Sequence, residues 1–254
     1  MRSTARNALL LMIGSSIVLA LSLGIRHAFG LFLQPMSLEF GWGREVFAFA
    51  IAIQNLIWGL LQPFVGAFAD RYGVKRTVFI SAIAYALGLL LMAFANTPSA
   101  LVLSAGLLIG FGLSGTSFAV LLSAVGRSVA AEKRSMAMGV ASAAGSFGQF
   151  VMLPGTLGLL EWLGWSSALL VCAALIALLL PLSRMLHENL NAPESSEAKL
   201  PLLSVLRQVA GQTDFWLLSL GFLVCGFQVV FIGIHIPAYL LDQHLPAQAG
   251  TTVL

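Results

Sequence analysis

Apolar residues run through this chain in seven long stretches that are separated by short polar segments. The stretches cover roughly residues 9–33, 46–67, 77–96, 99–125, 135–158, 164–185 and 215–240. About 20 apolar residues in a helix are enough to cross the hydrocarbon core of a bilayer. The pattern therefore predicts an all-α membrane protein with seven transmembrane helices, of which the first six follow one another closely.

The longest polar segment, residues 187–201, follows the sixth apolar stretch and is rich in serine, proline and charge. This composition is typical of a flexible linker. Apolar residues at helical spacing around Arg207 then predict a short helix on the cytoplasmic surface. We expect three parts: a six-helix amino-terminal bundle over residues 1–186, a cytoplasmic linker over residues 187–213, and the first helix of an incomplete carboxy-terminal bundle over residues 214–254.

Composition supports a lipid environment. Hydrophobic residues make up 59% of the 254 residues, charged residues only 9%, and the mean hydropathy is +0.94. So few charges do not cover the surface of a soluble protein. Cys172 and Cys225 both lie in apolar stretches, which favours neither a disulfide framework nor a metal site. Because the chain also lacks the common catalytic, phosphate-loop and metal-ligand motifs, it predicts neither an enzyme nor a cofactor.

The basic residues predict the orientation of the helices. If the amino terminus is cytoplasmic, only Arg44 lies outside and only Arg26 lies within a span. The basic residues then on the cytoplasmic side are Arg2, Arg6, Arg71, Lys75, Arg76, Arg127, Lys133, Arg134, Arg184, Lys199 and Arg207. This asymmetry is the one expected of an inner or plasma membrane protein. The charges are spread over short loops rather than one face, so they do not indicate binding to nucleic acid.

An alternative is that residues 1–23 form a cleaved signal peptide, with Arg2 and Arg6 as its basic region. Against it, the apolar sequence continues to Leu33 without an Ala-x-Ala-like cleavage site. Loss of the first helix would also invert the charge asymmetry of the remaining loops. A multi-pass protein that retains its first helix is therefore favoured.

A cluster of glycine and charge lies between the second and third stretches. It resembles the signature of the major facilitator superfamily, Gly-x-x-x-Asp-Arg-x-Gly-x-Lys/Arg-Lys/Arg, in the loop after the second transmembrane helix. The matching residues are Gly66, Asp70, Arg71, Gly73, Lys75 and Arg76, and Val74 stands where a basic residue is usual. We expect the glycines to permit a tight turn with positive φ, and Asp70 to accept from backbone donors near a helix start or to bridge helices.

The resemblance implies the fold and the class of activity. Members of this superfamily have two six-helix bundles joined by a long cytoplasmic loop, and they bind solutes between the bundles. It implies a secondary active transporter with a cytoplasmic gate at residues 66–76, and a carboxy-terminally truncated chain that lacks helices eight to twelve. A weak internal repeat agrees, because residues 24–27 resemble residues 233–235 in the equivalent seventh helix.

Residues 29–33 and 39–42 resemble the end of the first helix in monocarboxylate-transporter-like and oxalate/formate-antiporter-like proteins. Residues 132–141 resemble the start of their fifth helix, although Glu132 and Met136 depart from the pattern. This branch implies a small organic anion such as a monocarboxylate as substrate, and a proton or counter-substrate as coupling partner. Alternatives are an efflux carrier for another small molecule, a channel, and a non-transporting membrane sensor or scaffold.

Arg26 is the charged residue that the topology places inside a span. An arginine at the bilayer centre costs about 2.5–3.5 kcal/mol on insertion scales, so it normally faces a cavity or a partner. No Asp or Glu lies within the first six apolar stretches to pair with it. A carboxylate substrate suits the planar fork of its guanidinium. The alternative is that the long side chain of Arg26 extends to the nearby interface.

Other polar residues in the spans are secondary candidates for substrate binding: His27, Gln149, Gln228 and His235, with Gln54 and Asn55 beside them. The two histidines titrate near neutral pH and could carry a proton, or they could bond a neighbouring helix. Gln54, Trp58 and Gln62 share one face of the second helix at four-residue spacing, which is more typical of contacts between helices. The spacing of Gly106, Gly110 and Ser114 likewise favours close packing of the fourth helix.

Overall fold

The structure is a computed structural model that describes residues 2–186 and 202–253, so the predicted linker at 187–201 lies outside the described residues. The described part is helical and contains no strand. Its helices are α1 Arg2–His27, α2 Gly30–Phe40, α3 Arg44–Tyr72, α4 Val74–Met92, α5 Pro98–Leu101, α6 Ile109–Gly115, α7 Phe118–Ser128, α8 Ala131–Ala177, α9 Leu179–Leu182, α10 Leu202–Ala210, α11 Thr213–Asp242 and α12 Ala247–Val253, with a π-helical segment Val102–Leu108 between α5 and α6 and a 3₁₀ turn Ser183–Met185 after α9.

Within these ranges, six helical stretches are long and apolar enough to cross a membrane. Five of them correspond to single predicted spans, and the sixth, Ala131–Met185, contains two. A straight helix over the 47 residues of α8 would be roughly 70 Å long, about twice the thickness of the hydrocarbon core. Gly164 breaks it with a φ of +79°, a conformation that glycine adopts readily. The fifth and sixth predicted spans therefore meet at Gly164.

The first apolar stretch differs from the continuous helix that its sequence predicts. Helix α1 ends at His27, and after a turn at Ala28 and Phe29 the chain continues as α2 to Phe40. The amides of Phe29, Leu31 and Phe32 bond carbonyls three residues back, which tightens the chain locally. Helix α2 thus continues through Gln34, Ser37 and Glu39 beyond the predicted end at residue 33.

Small residues allow the helices to approach closely. A Cβ atom on Gly148 of α8 would lie 2.2 Å from the carbonyl oxygen of Ala20 in α1, and one on Gly110 would lie 2.8 Å from the carbonyl oxygen of Gln54 in α3. Lipid is as apolar as the helices, so no hydrophobic effect drives them together. Van der Waals contact between closely packed backbones is then a main source of helix association. The predicted packing role of Gly110 is therefore seen in the structure.

Helix α11 contacts the six-span bundle through its last third. Its buried residues, Gly233, Ile234, Pro237 and Ala238, face α2 and α12, whereas the residues before Val230 are exposed except for the half-buried Ser219. Because Asp242 at the end of α11 meets Arg44 at the start of α3, we name this side of the bundle the Arg44 end and the opposite side the Asp70 end. Helix α11 therefore closes against the bundle at the Arg44 end only. The short helix predicted near Arg207 is present as α10.

Candidate functional site

A small cavity lies where α11 meets α1 and α3. Its lining includes Arg26 and His27 from α1, Ile51 and Gln54 from α3, and Gly233 and Ile234 from α11. The cavity volume is about 10 Å³, which is room for one water molecule. The cavity is therefore too small for a larger solute unless α11 or the bundle moves.

Arg26 has a neutral partner and an aromatic partner in this site. Its Nη2 donates to Asn55 Oδ1 at 2.5 Å, and its Cζ lies 4.8 Å from the centroid of the Trp58 ring. Asn55 is itself fixed, because its Nδ2 donates to the carbonyl oxygen of Ile51 at 2.7 Å. The buried Nε of Arg26 has no hydrogen-bond partner among the described residues, and within them no carboxylate pairs with the guanidinium. The site therefore presents a positive charge with unused donor capacity.

The polar stripe on α3, formed by Gln54, Trp58 and Gln62, contributes to helix packing and also lies beside the site. Gln54 Nε2 donates to the carbonyl oxygen of Ala105 at 2.7 Å, and Gln62 Nε2 donates to Ser117 Oγ at 2.9 Å. The sequence predicts contacts between helices for this stripe, and the structure shows that both bonds go to the fourth span. The Oε1 atoms of both glutamines and Nε1 of Trp58 are buried without a partner in the described part of the chain. Buried polar groups are normally satisfied by protein, water or ligand, so the stripe adds binding capacity beside Arg26.

The other predicted binding residues are distributed around the cavity. His27 lines it, and the ring of His235 lies 4.9 Å from that of Phe231 on α11. Gln228 is exposed and Gln149 of α8 is half-buried, and neither contributes to the cavity lining among the described residues. The structure therefore brings together Arg26 and His27, and adds Asn55 and Trp58 as direct neighbours of the guanidinium. The sequence identifies Asn55 as a polar residue within a span and Trp58 as part of the stripe on the second helix, but it does not indicate that both contact Arg26.

The tight turn predicted in the charged motif is present at Gly73. This residue alone joins α3 to α4, with a φ of +88°, and its amide donates to the carbonyl oxygen of Ala69 at 2.8 Å. Gly66 lies inside α3 instead, with open space around it, because the helix continues to Tyr72. Val74 is fully buried, so an apolar side chain suits the position at which related sequences carry a basic one.

Asp70 does not cap a helix start, so that part of the prediction is wrong. It lies in the last turn of α3, where its charge is unfavourable to the helix dipole. Its Oδ1 instead accepts from Arg127 Nη1 at the end of α7, at 3.0 Å, which bridges the second and fourth spans. Arg71 lies 5.3 Å above the ring of Tyr72. Lys75 and Arg76 are exposed on the first turn of α4.

Three contacts hold the Arg44 end closed. Arg44 Nη2 donates to Asp242 Oδ1 at 2.7 Å, and Gln248 Nε2 of α12 donates to Glu161 Oε1 at 3.0 Å. Between them the backbones of α2 and α11 touch, since a Cβ on Gly30 would lie 2.1 Å from the carbonyl oxygen of Gly233. The ion pair joins residues 198 positions apart, a separation at which sequence spacing carries no information.

Comparisons of the sequence with family models and with curated proteins agree with each other on the family. The family model described as Major Facilitator Superfamily matches residues 12–254. Monocarboxylate transporter 11 of Mus musculus is 25% identical over 235 residues, which are 92% of this chain and 52% of that protein. The MFS-type transporter YcxA of Bacillus subtilis (strain 168) is 25% identical over 236 residues, 87% of this chain and 54% of that protein. The chain thus spans about half the length of these curated relatives.

A crystal structure of the POT family transporter PepTSo has the same fold. The two superpose with a TM-score of 0.62 over 98% of this chain and 53% of that one, at 17% sequence identity. At this identity the likeness concerns the arrangement of the helices. It agrees with a six-span bundle followed by a further span.

Proposed function

The chain belongs to the Major Facilitator Superfamily, and on that premise we propose that it supplies the amino-terminal part of a secondary active transporter for a small organic anion. The family and the relatives are transporters rather than enzymes. The observation that carries the proposal is Arg26, a cation held between helices beside a cavity shared with α11.

The environment of Arg26 favours an anion. The guanidinium has five donors, and the described contacts use one of them on a neutral amide. A carboxylate can accept from two guanidinium donors at once and also neutralise a charge that is costly in lipid. The name of the mouse relative, a monocarboxylate transporter, agrees with this class of substrate. We therefore assign Arg26 to the substrate, with His27 as a further polar contact in the cavity. Gln149, Gln228 and His235, which lie outside the cavity lining among the described residues, stay candidates on the sequence alone.

The same proposal explains the asymmetric position of α11. Carriers of this kind open a midplane site alternately to each side by rocking one bundle against the other. Contacts at the Arg44 end must then break when that end opens, and the exposed part of α11 borders the opening at the Asp70 end. We assign residues 66–76 to the gate at the Asp70 end, where Asp70 and Arg127 join the second and fourth spans.

We place the Asp70 end in the cytoplasm, which also puts the amino terminus there. The basic side chains of Arg71, Lys75 and Arg76 lie at that end, as the positive-inside rule requires. The protein would then be a multi-pass protein of the inner or plasma membrane. We propose the same three parts for the chain, with the linker at residues 187–213 on the cytoplasmic side.

Transport into sealed vesicles tests the proposal. The 254-residue chain and a longer carrier that contains it are reconstituted separately, and uptake of a radiolabelled monocarboxylate is followed with and without an imposed proton gradient. We expect the longer carrier to accumulate the anion above equilibrium. Equilibration without accumulation would identify a channel, and no uptake of any of a panel of anions and neutral solutes would identify a sensor or scaffold. Accumulation of neutral solutes alone would support a carrier but overturn the assignment of an anion.

A further inference from the structure

A second cavity lies at the Asp70 end, away from the substrate site. It is formed where the start of α4 meets α9 and the 3₁₀ turn that ends the sixth span, and it has a volume of about 310 Å³. Volumes near this size hold small ligands in other proteins. Its lining consists of Lys75, Phe79, Leu180, Pro181, Ser183 and Arg184.

The lining separates into a charged part and an apolar part. Lys75 and Arg184 contribute two cations from different spans, and no carboxylate is present in the lining within residues 2–186 and 202–253. The positive end of the α4 dipole, which begins at Val74, adds to this potential. Phe79, Leu180 and Pro181 provide apolar walls. A ligand that fits both parts carries a negative group joined to hydrocarbon.

The apolar wall continues along the outer surface of α4. Phe79, Ile83 and Leu87 are spaced four residues apart and are 43%, 36% and 46% exposed, so one apolar stripe leads from the cavity along the helix. In a membrane this stripe faces lipid. An acyl chain can lie along it while a phosphate remains between the two cations, whereas a soluble anion would leave the stripe unused.

We propose that this cavity binds the headgroup of an anionic phospholipid, with its phosphate between Lys75 and Arg184 and an acyl chain along α4. Basic pockets between transmembrane helices bind anionic lipid headgroups in this way, because each Lys or Arg near the membrane surface is attracted electrostatically to the negative lipid. The site does not depend on the proposed transport activity, because it lies between spans three and six, apart from Arg26. It gives Lys75 a role that the gating motif alone does not require.

Native mass spectrometry of the purified protein tests the proposal. The protein is extracted from vesicles of phosphatidylcholine and phosphatidylglycerol with identical acyl chains in a 3:1 ratio, and the retained lipids are counted. We expect preferential retention of one phosphatidylglycerol. Lys75→Gln and Arg184→Gln should each lower that preference about fivefold, and the double variant about 25-fold. Arg184→Lys should keep most of it.

Lys133→Gln is the matched control, because Lys133 is an exposed cation near the same end but does not line the cavity. It should leave the lipid preference unchanged, and helicity measured by circular dichroism should be the same for all variants. An equal loss of both lipids, an equal effect of Lys133→Gln, or an unchanged preference in the double variant would overturn the proposal. Displacement of the retained lipid by millimolar glycerol 3-phosphate would identify a soluble phosphate site and overturn the lipid assignment.

Discussion

At the scale of single residues, the site depends on how Arg26 is tolerated in the membrane. Its charge is costly at the bilayer centre, and its two close contacts, Asn55 and Trp58, are neutral. A cation–π contact contributes about 0.5–2 kcal/mol depending on desolvation. These contacts hold the guanidinium in place without neutralising it, so under the proposed function its charge is available to an anionic substrate.

Replacing Arg26 tests that assignment. Hydrogen bonds to charged groups contribute about 1.5–3 kcal/mol, so Arg26→Gln should weaken binding of an anionic substrate roughly 10- to 100-fold. Arg26→Lys should have an intermediate effect, because it keeps the charge but loses the planar fork. The measurement is substrate affinity for carboxylates and their neutral analogues, normalised to the protein in the membrane. Equal losses for both classes would indicate a structural arginine, and nearly normal transport by both variants would indicate a side chain that extends to the interface.

Asp70 tests the gate at the other end. Asp70→Asn removes the ion pair with Arg127, which is partly exposed and so contributes little to stability, about 0–1 kcal/mol. We therefore expect normal insertion and substrate affinity, but a turnover lowered about fivefold because a conformational step loses the bridge. The measurements are the initial transport rate and the substrate affinity of the same preparation.

Glu132→Gln is the control for Asp70→Asn, since Glu132 is an exposed carboxylate at the start of the neighbouring α8. The reversed pair Asp70→Arg with Arg127→Asp should recover part of the lost turnover. A rate that is unchanged in Asp70→Asn, or equally reduced in Glu132→Gln, would remove the gate assignment.

At the scale of helices, the apolar pattern predicted the spans well, because about 20 apolar residues in lipid have no stable alternative to a helix. The break after His27 and the position of Asp70 inside α3 were missed, since both depend on where local bonding ends a helix. The contacts of Arg26 with α3 and of Gly30 with Gly233 depend on how distant segments pack. Single-sequence periodicity contains no information about that packing.

Gly148 illustrates how close the packing is. A Cβ there meets the backbone of Ala20, which is not free to rotate away, so Gly148→Ala should separate α1 from α8 and destabilise the fold by about 1–3 kcal/mol. Gly158→Ala in the same helix is the matched control, because a Cβ at Gly158 meets nothing within 4 Å, and alanine favours the helix by up to about 1 kcal/mol. The midpoint of thermal inactivation in detergent should fall for the first variant and stay or rise for the second. A fall of the same size in both would show that the α1–α8 contact is not the cause.

At the scale of the whole molecule, the proposed carrier mechanism makes the exposed part of α11 and the contacts at the Arg44 end one state of an equilibrium between two arrangements. A carrier can use such a state only if the contacts that stabilise it are weak enough to break during transport. The ion pair between Arg44 and Asp242 meets this condition. Its side chains are 46% and 38% exposed, so we expect it to contribute little to stability.

Charge reversal at this pair should shift the equilibrium between the two arrangements. Asp242→Arg replaces attraction by repulsion and should raise the population open at the Arg44 end about fivefold, whereas the double variant with Arg44→Asp should restore the original balance. The reporter is Ile51→Cys in a background with Cys172→Ala and Cys225→Ala, because Ile51 lines the small cavity and is buried in this arrangement. Its rate of labelling by a membrane-impermeant maleimide added at the Arg44 side should rise in Asp242→Arg and return in the double variant. Glu45→Gln, beside Arg44, should leave the rate unchanged. If the single and double reversals label alike, the ion pair does not hold this end closed, and the contact between Gly30 and Gly233 must do so without it.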